Sequence, residues 1–365
     1  MTKRVLVAMS GGVDSAVAAA LLQEAGYHCT GVTLKLFDQP ADQIPAASRS
    51  CCSLTDIEDA RQSAYKLGME HFVFNYTRPF QQQVIQRFAD TYAAGQTPNP
   101  CIDCNRFVKI PLVLQRALEL GYDYIATGHY ARISQDQHSG RYLLHKAADA
   151  KKDQSYVLYA LTQPQLAHLL LPLGDLDKSQ TRQLAQEFDL RLAEKAESQD
   201  ICFVPDGDYA RFLTQKMHLT ATPGNIIDLD GNLLGRHNGL LHYTVGQRKG
   251  LNLQAFEPYY VVHKDAVTNT LVVGKQKQNL SSGLYATDLS WLAIAGLQEP
   301  LAVKVKTRSH QSETAAMLYP LANGDLEVRF NQPQPPAAPG QAIVFYQDDL
   351  VVGGGTIRES LLQTP

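Results

Sequence analysis

The sequence predicts an α/β protein: an N-terminal doubly wound parallel-sheet domain, then a small β-rich central domain and a C-terminal β-barrel. Three observations carry that reading. Up to about Val204, apolar strand-like runs alternate with amphipathic helical stretches, the pattern of strands joined by crossover helices. Beyond Pro205 the texture changes to short strands with turn signals such as Asp230-Gly231-Asn232, Thr268-Asn269 and Asp348-Asp349. The first strand runs into Ser10-Gly11-Gly12-Val13-Asp14-Ser15, a glycine-rich turn that opens a helix. Domain boundaries are expected at 1–207, 208–280 and 281–365.

The elements follow in order. Arg4 to Met9 reads as a buried strand, and Val17-Ala18-Ala19-Ala20-Leu21-Leu22 as the body of the helix behind the turn. Cys29 to Leu34, His71 to Phe74 and Tyr124 to Thr127 are the next strands, with a helix over Leu54 to Leu67. Ligands of such sheets sit at the carboxyl ends of strands, where both the Ser10 turn and Thr127-Gly128-His129 fall, so the two line one nucleotide cleft. Lys151-Lys152-Asp153-Gln154-Ser155 is a polar break ahead of a helix-like run, with Asp153 as its cap. Val303-Lys304-Val305-Lys306-Thr307-Arg308 alternates strictly and puts Lys304, Lys306 and Arg308 on one strand face. That stripe suits phosphates, or equally a lysine-guarded edge strand. Gln332-Pro333-Gln334-Pro335-Pro336 reads as a loop.

Composition bounds the function. A chain of 365 residues with 44% hydrophobic and 19% charged content supports two or three cores. No apolar run reaches the length of a membrane span, so a cytoplasmic protein without membrane partners is expected, as a monomer. A net charge of -3 gives no global pull toward nucleic acid, which leaves RNA binding to local basic patches.

The hexapeptide at Ser10 reads as a phosphate cradle. Two glycines let the backbone approach an anion, the Ser10 and Ser15 hydroxyls can donate to phosphate oxygens, and a helix N-terminus adds unpaired N–H groups. No lysine follows, which excludes the GxxxxGK[ST] loop. Asp14 stands where a metal ion would bridge it to phosphates, against the plainer reading of an acidic residue in a first helical turn. The segment resembles the PP-loop of ATP pyrophosphatases, which attach AMP to a substrate oxygen and expel pyrophosphate.

Six cysteines, Cys29, Cys51, Cys52, Cys101, Cys104 and Cys202, in a chain without a secretory signal point to reactive or metal-binding thiols. In Thr97-Pro98-Asn99-Pro100-Cys101-Ile102-Asp103-Cys104-Asn105 two prolines fix an extended approach, so the thiols are expected on a loop, displayed and not buried. Half of a zinc knuckle is the structural alternative, and it lacks a nearby second pair; a thioredoxin-like pair is disfavoured by the prolines. Cys202, in Ile201-Cys202-Phe203-Val204, reads by itself as a core thiol.

With these segments together, the chain resembles the tRNA-specific 2-thiouridylases over nearly its whole length. That resemblance implies ATP with Mg2+ at Ala8, Met9, Ser10, Gly11, Gly12, Val13, Asp14 and Ser15, adenine against Leu34, and Gly128 touching ATP. It places the nucleophile on Cys104 and the persulfide-forming cysteine on Cys202, with Asn99, Pro100 and Cys101 receiving the target base. It puts tRNA on His129, Lys152, Asp153, Gln154, Arg308, Ser309 and Gln341, and a cysteine desulfurase or sulfur-relay protein as persulfide donor. Two departures stand out. Many relatives carry Asp at Cys101, which leaves a general base open between Asp103 and none, and most have an aromatic at Ser309. A variant of this reading has Cys51, Cys52, Cys101, Cys104 and Cys202 hold an iron–sulfur cluster. An amidating PP-loop enzyme and a non-catalytic tRNA-binding protein are the competing classes; tRNA-dependent pyrophosphate release separates the binder from both enzymes, and Cys104→Ser would leave an amidating activity intact.

Overall fold

A computed structural model describes residues 2–38, 54–190, 201–204, 206–276 and 279–362. The chain forms two compact units, Met1–Ile85 with Pro100–Gly207 and Asp349–Val351, and Gln86–Asn99 with Asp208–Asp348 and Val352–Pro365.

The first unit is built on a parallel sheet. Its strands are β1 (Arg4–Ala8), β2 (His28–Lys35), β3 (His71–Asn75), β4 (Tyr124–Thr127) and, beyond the antiparallel hairpin β5 (Arg132–Gln135) and β6 (Tyr142–His145), β7 (Leu169–Leu170). The spatial order is β3-β2-β1-β4-β7. Val5, Leu6 and Val7 are fully buried, as a central parallel strand covered on both faces must be. Helix α1 (Val13–Glu24) buries Ala16, Val17, Ala18, Ala19 and Ala20, small side chains that let it lie close to the sheet. With α2 (Leu54–Lys66), every strand and helix expected in this region is present. Cys29 fills the core of this unit, and burial pushes its thiol up to about 11. Register pairs Ala8 with Val32 on one side and with Thr127 on the other, so β1 and β4 end level while β2 runs on to Lys35.

One expectation is corrected here. The segment after Asn99 is a helix: α3 (Thr77–Phe80) and α4 (Arg87–Ala93) precede it in the chain, and α5 (Pro100–Asp103) runs through a π-helical turn, Cys104–Lys109, into α6 (Ile110–Glu119). Pro100 costs nothing at a helix start, where its missing N–H has no intrahelical partner. Pro111, at the start of α6, cannot donate to the Phe107 carbonyl and its ring crowds that group, so the turn ahead of it widens. The helix turns Cys104 inward, 8% exposed, and leaves Cys101 as the displayed thiol. Two further helices, α7 (Gln163–Ala167) and α8 (Lys178–Glu187), complete the unit.

The second unit contains α4 and α9 (Tyr209–Gln215), a four-stranded sheet and a closed barrel. The sheet joins β8 (Gly224–Ile227), β9 (Leu233–His237), β10 (Tyr259–Asp265) and β11 (Thr270–Lys275) in the order β10-β11-β8-β9. The barrel joins β12 (Ser281–Trp291), β13 (Leu301–Lys306), β14 (Thr314–Pro320), β15 (Leu326–Gln334), β16 (Ala342–Gln347) and β17 (Leu350–Leu362) in the order β12-β15-β14-β13-β16-β17, closed by β12 against β17. Closure leaves no sheet edge. Val303 and Val305 face its core and Lys304 faces solvent, as the alternation requires. Gln332, Pro333 and Gln334, expected in a loop, form the exposed end of β15; the β12 pairing extends to Gln334 despite the proline. No helix among the described residues is long and apolar enough to cross a membrane.

Tyr92 of α4 stacks on Tyr209 of α9 at 5.2 Å, and the Lys264 ammonium of β10 sits 5.9 Å from the Tyr92 ring while donating to the Tyr243 carbonyl at 3.0 Å. Burial pushes Lys264 down to about 8 from an ordinary 10.5. The unfolded chain therefore binds the extra proton between about pH 8 and 10.5, and stability should rise with pH across that window by up to about 1.4 kcal/mol per unit. Lys264→Met should lack that rise in urea titrations followed at Trp291, the only tryptophan.

Candidate active site

At the end of β1 the chain turns through Ser10 to Ser15. Gly11 has φ +71, and a Cβ there would lie 2.2 Å from the Asp56 carbonyl oxygen; only glycine allows this path. Gly12 caps α1, so the first N–H groups of a twelve-residue helix open toward the turn. The Ser15 hydroxyl, expected to face phosphate, accepts from the Ser10 N–H at 3.1 Å and donates to the Gly12 carbonyl at 3.0 Å. It braces the loop, and the exposed Ser10 hydroxyl is the one facing solvent. Leu34 is buried near the end of β2. Past β4, a Cβ on Gly128 would come within 2.8 Å of the backbone at Asp14 and Ser15, so this glycine lets the end of β4 lie against the first turn of α1.

The site also holds a cation that the sequence reading missed. Lys178, the first residue of α8, sends its ammonium 2.6 Å from Asp14 Oδ1, and the Tyr130 hydroxyl donates to the same oxygen at 2.8 Å. Tyr130 Oη also lies 3.0 Å from Thr181 Oγ1. Asp177 caps α8 by accepting from the Gln180 N–H, and α8 packs on α1, which carries Lys178 to the turn. The signal available in sequence was the capping box Asp177 to Gln180, which marks a helix start but not its neighbour. The Lys178 side chain is 12% exposed and that of Asp14 31%, so the pair is partly shielded from solvent screening. Asp14 is one carboxylate at the glycine-rich turn, a donor that would suit Mg2+ where phosphates supply the other ligands.

Beside this pair, Thr127 Oγ1 lies 2.7 Å from His129 Nδ1. Burial, with the Lys109 charge adding, holds the imidazole well below its ordinary pKa, so His129 is neutral at pH 7 and meets a partner as a hydrogen-bonding group. Lys109 ends the π-helical turn that begins at Cys104, so the cysteine helix brings a positive charge to bear on His129. Next to Cys104, buried Asn105 donates to the Val157 carbonyl at 3.2 Å. Cys202 is half-buried in a turn closed by the Val204 N–H on the Ile201 carbonyl, so it is not the fully buried core thiol its surroundings suggested. Phe203 packs edge-on against Phe80 at 5.8 Å, and α3, which carries Phe80, lies against the π-helical turn. Thus α3 sits between the two cysteine segments.

Among the described residues no three His, Cys, Asp or Glu side chains gather at metal-binding spacing, so Cys101, Cys104 and Cys202 do not form a cluster cradle; Cys51 and Cys52 lie outside the described residues. Of the expected RNA contacts, Asp153 accepts from the Ala147 and Ser155 N–H groups and Gln154 from the Tyr130 N–H, so both hold local backbone. Lys152 is half-buried. In the second unit exposed Arg308 donates to the Val245 carbonyl at 3.2 Å just past the end of β13, and Ser309 follows it.

Comparison with known proteins covers the chain in three parts. Residues 3–206 match the tRNA methyl transferase HUP domain, 211–275 the tRNA methyl transferase PRC-barrel domain, and 281–357 the aminomethyltransferase beta-barrel domain. The chain is 48% identical to a tRNA-specific 2-thiouridylase MnmA of Acetivibrio thermocellus, over 98% of this chain and 99% of that protein. It is 49% identical to the protein of the same description from Magnetococcus marinus, over 97% and 99%. A solved 4-thiouridine synthetase–RNA complex with bound ATP aligns at 19% identity and a TM-score of 0.37, covering 59% of this chain and 50% of that one.

Proposed function

Because the chain belongs to the tRNA-specific 2-thiouridylase family, we propose that it uses ATP to replace the C2 oxygen of a tRNA wobble uridine with sulfur, through the residues assembled above. The observation that best supports this reading is the meeting of the Ser10 turn, Gly128 and the Lys178–Asp14 pair at level strand ends. In this reading Asn99, Pro100 and Cys101 receive a uracil flipped out of the anticodon stack. His129, Lys152, Asp153, Gln154, Arg308, Ser309 and Gln341 contact the RNA, and Lys304 adds phosphate attraction. The enzyme acts as a cytoplasmic monomer, with the three-part division at 207 and 280.

A urea-like carbonyl resists displacement, and ATP supplies the remedy by converting its oxygen into the leaving group of an adenylate. The chain does the rest. The Ser10 turn and the α1 N-terminus hold phosphate, with the Lys178 ammonium as a further cation for it; Asp14 would hold Mg2+, which would neutralise phosphate charge there. A persulfide on Cys202, supplied by a desulfurase or relay protein, attacks C2 through its terminal sulfur; the C–O bond breaks and the oxygen departs with AMP. The Cys104 thiolate then attacks Cys202 Sγ. The S–S bond breaks with its electron pair on the transferred sulfur, leaving a thiocarbonyl on the base and a Cys104–Cys202 disulfide that an external dithiol reduces. Burial protects the Cys104 thiol from solution oxidants, whereas half-buried Cys202 is accessible to a donor.

Incubation with ATP, Mg2+, a persulfide donor and tRNA, followed by nucleoside analysis, tests the proposal. 2-Thiouridine dependent on ATP is the expected result. Its absence with folded protein overturns the reading.

A further inference from the structure

We propose that Gln341, with Pro339 and Gly340, positions the segment that receives the target base, so that the barrel sets the geometry of Thr97-Pro98-Asn99. The inference rests on the reading of that segment as the target-base pocket. Pro98 has no N–H, and neither does Pro100, so this stretch cannot complete a ladder with a neighbouring strand. Its polar backbone groups find partners on one turn of the second unit. The Thr97 N–H donates to the Pro339 carbonyl at 2.8 Å, and Gln341 Nε2 donates to the Thr97 carbonyl at 3.2 Å and the Pro98 carbonyl at 2.9 Å. One side-chain amide thus spans two consecutive carbonyls.

The turn that presents this amide is itself held. The Gly340 N–H donates to the Ile357 carbonyl at 2.8 Å, and the Ile357 N–H donates to the Gln341 carbonyl at 2.7 Å, which locks residues 340–341 to β17 of the closed barrel. Gly340 has φ +87, and a Cβ there would lie 3.0 Å from both Gln96 Cβ and the Thr97 oxygen; the close approach of the two backbones requires glycine. Gln341 is half-buried. Its amide nitrogen serves the loop while its amide oxygen can still accept from a ribose 2′-hydroxyl. Gln341 is therefore a positioning residue as well as an RNA contact, and through it the RNA-binding barrel and the base-receiving segment are coupled.

Gln341→Met removes the donor at nearly constant length, and Gln341→Glu faces two carbonyl oxygens with a carboxylate. Hydrogen exchange at the Thr97 amide, measured without ATP, sulfur donor or RNA, is expected to quicken at least about tenfold in both variants, from the loss of two hydrogen bonds. At saturating tRNA, kcat for thiolation is expected to fall on the order of tenfold or more, beyond any change in tRNA affinity. Unchanged Thr97 exchange, or a defect confined to tRNA affinity with kcat intact, overturns the proposal. Because exchange is read without turnover, it decides the anchoring independently of whether the wild type thiolates tRNA; a wild type that makes no 2-thiouridine overturns the functional reading instead, and with it the role of the anchor in catalysis.

Discussion

Cys202→Ser and Cys104→Ser should each lower 2-thiouridine formation by at least about a thousandfold, because residues that act as one covalent unit lose nearly everything when either is removed. Pyrophosphate release dependent on tRNA should stay within a few fold, since neither thiol belongs to the Ser10 turn. The two variants differ in what they retain. Cys104→Ser should still carry an added sulfur atom after treatment with a persulfide donor, seen by mass spectrometry, and Cys202→Ser should not. Cys101→Ser is the control that the structure makes necessary. Cys101 is the exposed member of its pair and Cys104 is 8% exposed, so accessibility alone would choose Cys101 as the reactive thiol. Full thiolation by Cys104→Ser, together with its loss in Cys101→Ser at undiminished tRNA-dependent pyrophosphate release, would move the nucleophile to Cys101.

The second large effect is expected at Lys178. Lys178→Met should slow tRNA-dependent pyrophosphate release on the order of a hundredfold, the scale of removing one fixed donor from developing phosphate charge. Two causes could produce that loss: a missing phosphate contact, or an Asp14 carboxylate left beside the turn without its cation. The double variant with Asp14→Asn separates them. Thermal stability should recover in the double variant, because no uncompensated carboxylate remains, whereas pyrophosphate release should stay low. Near-wild-type release by Lys178→Met alone would remove this lysine from the nucleotide site.

Much of the fold was legible because the signals were local. The parallel strands announced themselves as apolar runs, and Gly11 is where a φ of +71 is needed for the turn into α1. The alternation at Val303 and Val305 gave a strand with one buried face; that it lies in a closed barrel and not at a sheet edge came from the fold. The cysteine segment misled for a physical reason. Its prolines read as stiffeners of an extended loop, but Pro100 sits at a helix start and Pro111 reshapes the turn behind it, so Cys104 is buried by helix geometry. The bonds of the Ser15 hydroxyl within its own turn, to the Ser10 N–H and the Gly12 carbonyl, were likewise not legible from residue type alone.

By itself the sequence determined the strand–turn–helix at Ser10, the change to β-rich texture after Pro205, and the cysteine-bearing segments whose resemblance names the chemistry. Only tertiary structure decided what completes those parts. The sequence showed that no lysine follows the glycines; the fold brings one from 164 residues away, on a helix that packs against α1. It likewise sets Gln341 on the Thr97 and Pro98 carbonyls across 244 and 243 residues. Backbone propensity is written in neighbouring residues, but a charge pair or a side-chain clamp depends on which elements pack together, and one chain read in order carries no local mark of that.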